Sequence, residues 1–110
     1  MGALTYDGTH VEFDDRLLTH LEIVIINKFR RGESFLMSWK DGVAVGSGRA
    51  AIWLAPNIPI YFKFYGSRVP KINRDWIARL GETADGPQGL LVIAEDGALA
   101  ESTPSGGRAV

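Results

Sequence analysis

Arg68, Lys71 and Arg74 fall within one short segment, Gly66-Ser67-Arg68-Val69-Pro70-Lys71-Ile72-Asn73-Arg74-Asp75-Trp76-Ile77. Asn73 is a residue type that caps helices, and a helix N-terminus presents unpaired N–H groups with a partial positive charge. Cations gathered there favour an anion, a phosphate above all. A solvated loop before an ordinary capped helix would explain Asn73 but does not require three cations. Asp75 is the only acid or base in the segment, so its chemistry is that of holding an anion.

Two more cations and two tyrosines extend this reading. Tyr61, Lys63 and Tyr65 alternate with Ile60, Phe62 and Phe64, which places the tyrosines and the lysine on one face of a strand. Bases stack on tyrosine while Lys and Arg hold the backbone of a single strand, although tyrosine in strands also serves plain packing. Arg49 follows Gly46-Ser47-Gly48, where glycines would let backbone amides approach a phosphate. The Gly-Lys-Ser/Thr ending of a phosphate loop is missing there, and a hairpin tip explains the glycines better.

Other chemistry finds weaker support. His10, Glu12, Asp14 and Asp15 are close in sequence, yet alternation leaves only His10 and Glu12 on one strand face and Asp14 is better used as a cap. No metal site and no cofactor are expected. Ser34, Ser38 and Ser47 have only His10 and His20 as prospective bases and no nucleophile-elbow motif, so no catalytic set is assigned. Without cysteine there is no disulfide framework and no thiol chemistry.

Charge is polarised along the chain. Between Ile26 and Leu80 ten basic residues face three acidic ones, whereas the remainder holds two basic against ten acidic, and the net charge of −1 hides the difference. A basic binding face and a mixed solvated surface both fit this pattern. The N-terminus lacks the basic-then-apolar layout of a signal peptide, and no apolar run approaches the ~20 residues that span a bilayer. A cytoplasmic location away from membranes is the expectation.

The elements that must position these residues follow from periodicity. Asp7-Gly8 between two short alternating stretches predicts an N-terminal hairpin. Asp14 then caps a helix over 15–31, with Phe13 and Leu18 as a hydrophobic staple, basic residues near its end and Gly32 to stop it. Leu17, Leu18, Leu21, Val24, Ile25 and Phe29 share one arc. Ile23 and Ile26 fall outside it, either covered by the fold or available to a second copy of the chain. Segments 34–40, 49–55 and 59–65 alternate as strands and predict an antiparallel meander. Asn73 caps a second helix carrying Trp76, Ile77, Leu80 and Ala84 on one face, and 89–94 reads as a last strand. With 110 residues the expectation is a single α+β domain over 1–94, with a mostly antiparallel sheet, two helices and the order ββ-α-βββ-α-β. The tail over 95–110, rich in Gly, Ala, Ser, Pro and acids, predicts disorder.

The motifs Phe13-Asp14-Asp15-Arg16-Leu17-Leu18, Arg30-Arg31-Gly32-Glu33-Ser34-Phe35, Ser38-Trp39, Ile52-Trp53-Leu54 and Ser67-Arg68 through Trp76-Ile77 resemble a small uncharacterised actinobacterial family. Its members often bear the label ATP-dependent DNA ligase or ligase-like. The resemblance spans roughly residues 1–94 and implies proximity to nucleic-acid enzymes. It does not imply ligation: the lysine that takes AMP belongs to a Lys-x-Asp-Gly motif, and Lys40-Asp41-Gly42 lacks the spacer. Moving a strand residue by one place turns it to the opposite face. The reading is therefore a phosphate- or nucleic-acid-binding module that uses Arg68, Lys71, Asn73 and Arg74 with Arg49, Lys63, Tyr61 and Tyr65. The alternatives are a homodimerising or protein-interaction module and an accessory to a ligase or similar enzyme.

Overall fold

The computed structural model describes residues 1–42, 46 and 48–102. Strands β1 (Gly2–Tyr6) and β2 (Thr9–Phe13) form the expected hairpin. Asp7 at φ 48° and Gly8 at φ 84° supply two successive left-handed residues, the conformation for which two-residue hairpin turns select Asp-Gly.

Helix α1 (Asp15–Arg30) begins where the Asp14 carboxylate accepts the N–H groups of Arg16 and Leu17. Leu17, Leu18, Leu21, Val24 and Ile25 are buried, and Phe29 is half-buried. Each fully buried leucine contributes about 1.5–3 kcal/mol. Lys28 is only 6% exposed, its stem lying along the protein while its Nζ reaches Asp85 at 2.6 Å and Glu33 at 3.0 Å. That pair of contacts joins the ends of the two helices.

Strands β3 (Phe35–Lys40), β4 (Arg49–Leu54) and β5 (Ile60–Phe64) occur where alternation placed them, but they do not form a meander. β3 and β4 pair, whereas β5 pairs antiparallel with β1, Ile60 opposite Tyr6 and Phe64 opposite Gly2. The Tyr6 hydroxyl explains the crossing: it accepts the Ala55 N–H at 2.9 Å and reaches the Ala55 carbonyl at 3.4 Å, so β1 satisfies the backbone just beyond β4. Two three-stranded sheets result, β2-β1-β5 and β4-β3-β6.

Helix α2 (Arg74–Ala84) buries Trp76, Leu80 and Ala84 against α1 and the second sheet. β6 (Leu90–Leu91) is shorter than the expected strand and runs parallel to β3, with Met37 opposite Leu90. Gly89 makes that approach possible, since at φ 72° a Cβ would overlap the Leu36 carbonyl oxygen. Inner faces of both sheets meet α1 in one core, where Phe13 packs edge-on to Trp39 at 6.1 Å.

The chain does not leave the fold at Glu95. It reverses, and the Ala100 N–H donates to the Val92 carbonyl while the Lys40 carbonyl accepts from Ser102 at 2.8 Å. Ala100 and Ser102 are buried. Backbone pairing with the end of β3 holds this segment, and composition carries no signal of such pairing. Residues 103–110, the rest of the expected tail, lie outside the described residues. Among those described, no helix is long and apolar enough to cross a membrane.

Candidate functional site

The loop between β5 and α2 is fastened to α1 at three points. The Asp15 carboxylate accepts the N–H groups of Gly66 at 2.7 Å and Tyr65 at 3.3 Å. Burial pushes this carboxyl up, but those two N–H groups together with the Met1 ammonium hold Asp15 below its ordinary value. Arg16 Nη1 donates to the Lys71 carbonyl at 2.6 Å. The buried His20 closes the loop: its Nδ1 lies 2.7 Å from the Arg16 carbonyl, which can only accept, so Nδ1 carries the proton and Nε2 accepts the Asn73 N–H at 2.9 Å. His20 also stacks on Trp76 with centroids 4.4 Å apart. Arg68 and Lys71 are therefore presented by a braced loop.

Asn73 caps α2 as expected, its Oδ1 accepting the Trp76 N–H at 3.2 Å. The anion beside that cap is the chain's own Glu95. Arg16 grips it with both ends of its guanidinium, at 3.0 and 2.6 Å, and Asn73 Nδ2 donates to it at 2.8 Å. Arg16, then Asn73, hold the Glu95 carboxyl down to about 2. Arg79 Nη2 donates to the Glu95 carbonyl at 2.9 Å. Lys71 and Arg74 line the same open depression of about 340 Å³ with Arg16, Asn73, Asp75 and Glu95.

The structure thus gathers Lys71, Asn73 and Arg74 and separates the other candidates. Arg68 lines a neighbouring depression of about 190 Å³ with Asp15 and Glu22, whose carboxyl is pushed up by burial. Tyr61 and Lys63 stand exposed on β5 and Tyr65 just beyond its end, the tyrosines at 60% and 61%. Both tyrosine side chains are without a hydrogen bond among the described residues. None of Lys63, Arg68, Lys71 and Arg74 is in an ion pair among the described residues, in contrast to Arg16, Lys28 and Arg31. Arg49 lies elsewhere, on the outer face of the second sheet opposite Lys40. Gly46-Ser47-Gly48-Arg49 falls partly outside the described residues. Ile23 and Ile26 are half-buried and lie outside the core cluster.

Asp41 and Gly42 have a structural occupation. Asp41 Oδ1 accepts from Trp39 Nε1 at 2.9 Å and from the Ser102 hydroxyl at 3.1 Å, and the Gly42 N–H donates to Ser102 Oγ. On the first sheet, Thr5 Oγ1 lies 3.1 Å from His10 Nδ1, and His10 Nε2 lies 3.4 Å from Glu12. No group of three or more His, Asp or Glu side chains among the described residues is placed to hold a metal ion.

Sequence reasoning missed Glu95, which it assigned to the tail, Arg16 and His20, which brace the loop, and Arg79, which holds the Glu95 backbone. Arg16 carried a weak signal as one of only two cations outside the basic middle. Trp53 on β4, to which the sequence motif assigns no role, is 60% exposed.

Fold and site together define a small α+β domain with a braced basic loop beside an aromatic edge strand. The chain belongs to the family described as Domain of unknown function (DUF7882), whose model matches residues 1–95. No curated protein and no solved structure matches it.

Proposed function

We propose that this protein binds a single-stranded nucleic acid or a related polyanion along β5 and the loop that follows it. The observation that carries the reading is that Tyr61 and Lys63 stand exposed on one face of an edge strand, with Tyr65 exposed just past its end, and that the chain continues from there into Arg68, Lys71 and Arg74. Tyrosines with free faces offer stacking platforms, and unpaired cations offer phosphate contacts. Glu95 narrows the mode of binding. Its carboxylate already occupies the place beside the α2 cap, so phosphates meet Lys71 and Arg74 at the rim of the depression. Arg49 takes no part in this face.

Binding is read as fluorescence anisotropy of a labelled oligothymidylate across a salt series. Affinity falls steeply with salt, and Lys63→Gln, Lys71→Gln and Arg74→Gln each flatten the log–log slope by about 0.7 per lost phosphate contact. Tyr61→Ala weakens binding by about 1–3 kcal/mol and leaves the slope unchanged. Absence of binding in low salt, or binding indifferent to salt, contradicts the proposal.

The finer setting is an accessory role in the cytoplasm beside a DNA ligase or another nucleic-acid enzyme, in keeping with the resemblance to ligase-labelled actinobacterial domains. Ligation by this chain itself is disfavoured by the structural engagement of Asp41 and Gly42 with Ser102.

A further inference from the structure

Strand β4 is an edge of the second sheet, bonded to β3 on one side only. Its outward-facing residues are Arg49, Ala51 and Trp53, all exposed, and its inward-facing Ala50 and Ile52 are half-buried. An open edge with a large exposed aromatic is a template for another strand unless something blunts it. Here the edge carries one charge, no proline, and a tryptophan 60% exposed.

The residue pattern suits one partner in particular. When two copies of a strand pair antiparallel about a two-fold axis normal to the sheet, directly opposed residues lie on the same face, so their numbers share parity. Centring the axis on Ala51 sets Ala51 opposite Ala51, and sets Arg49 of each copy opposite Trp53 of the other. Ala50 and Ile52 then oppose each other on the inner face. All five residues from Arg49 to Trp53 find a partner in this register. Shifting the pairing by two residues in either direction brings Ala51 opposite Arg49 or Trp53 and loses both arginine–tryptophan pairs.

Charge supports the same arrangement. Arg49 sits directly across from Lys40 on β3, an unfavourable like-charge pair. Among the described residues, neither cation has an ion-pair partner. An indole face on the open side of Arg49 supplies the attraction that β3 does not, that of a cation over an aromatic ring. Trp53 is in turn flanked by the half-buried Leu36 across the hairpin.

We propose that β4 pairs with β4 of a second copy of this chain, joining two three-stranded sheets into one of six strands through reciprocal Arg49–Trp53 contacts. The polyanion face on β5 belongs to the other sheet and remains free in the dimer.

The cysteine-free sequence gives a clean test. In Ala51→Cys the two introduced thiols meet at the axis, where opposed Cα atoms of an antiparallel pair lie about 4.5–5.5 Å apart, within disulfide reach. Mild oxidation at concentrations where wild-type sedimentation shows a mass double the 12.0 kDa chain yields a covalent dimer from Ala51→Cys and little from the exposed control Asn57→Cys. Trp53→Ala and Arg49→Glu, each with an unchanged circular dichroism spectrum, shift the wild-type association to at least tenfold higher concentration. A wild-type chain that stays monomeric, equal crosslinking of Ala51→Cys and Asn57→Cys, or a dimer undiminished in both surface variants overturns the proposal. Oligonucleotide affinity measured on the same variants separates this interface from the β5 face, since it is governed by different residues.

Discussion

Glu95 shows how one residue changes the meaning of a basic cluster. Three cations near a helix cap read as an anion site, and the fold supplies an anion from its own chain. Its carboxyl is held at about 2 against an ordinary 4.5, first by the Arg16 hydrogen bond and then by Asn73. A folded-state value below the unfolded one means that the contribution to stability is complete above the unfolded value and fades as pH falls toward the folded one. Urea midpoints measured from about pH 5 down to about pH 2 therefore decline more in the wild type than in Glu95→Gln, the two curves converging at the acid end. The residue types at 71, 73 and 74 were legible in the sequence. The internal partner of Asn73 was not, because Glu95 is 21 positions beyond Arg74 and its placement depends on how the chain turns after β6.

Elements were legible where local chemistry decides them. The Asp7-Gly8 turn, the Asp14 and Asn73 caps and the apolar arc of α1 are short-range features, and all occur as the periodicity implies. Strand pairing was not legible, since alternation fixes which face is buried but not which neighbour is chosen. Tyr6 is one side chain that makes that choice. Tyr6→Phe removes the acceptor of the Ala55 N–H and destabilises the fold by about 1–3 kcal/mol, seen as a lower urea midpoint at unchanged slope. Gly89 guards the other nonlocal junction, between β6 and β3. Gly89→Ala forces a left-handed alanine against the Leu36 backbone and lowers stability by about 1–3 kcal/mol or more, whereas Gly81→Ala on the open face of α2 is tolerated or stabilising by a few tenths to about 1 kcal/mol.

At the scale of the molecule, the two sheets divide the surface between them. The first carries Tyr61, Lys63 and Tyr65 and leads into a loop braced by Asp15, Arg16 and His20. The second exposes β4 with Arg49 and Trp53. The basic middle of the sequence, which fitted either one binding face or a mixed surface, is distributed over both sheets and the two helices, and β4 and β5 part company after Ala55. Isotope-labelled protein titrated with oligothymidylate in low salt tests the central claim directly, through backbone amide chemical shifts. The account predicts perturbations at Tyr61, Lys63, Tyr65, Arg68, Lys71 and Arg74, with those of Arg49, Ala51 and Trp53 unchanged. Perturbations confined to β4, or none at all, would contradict it.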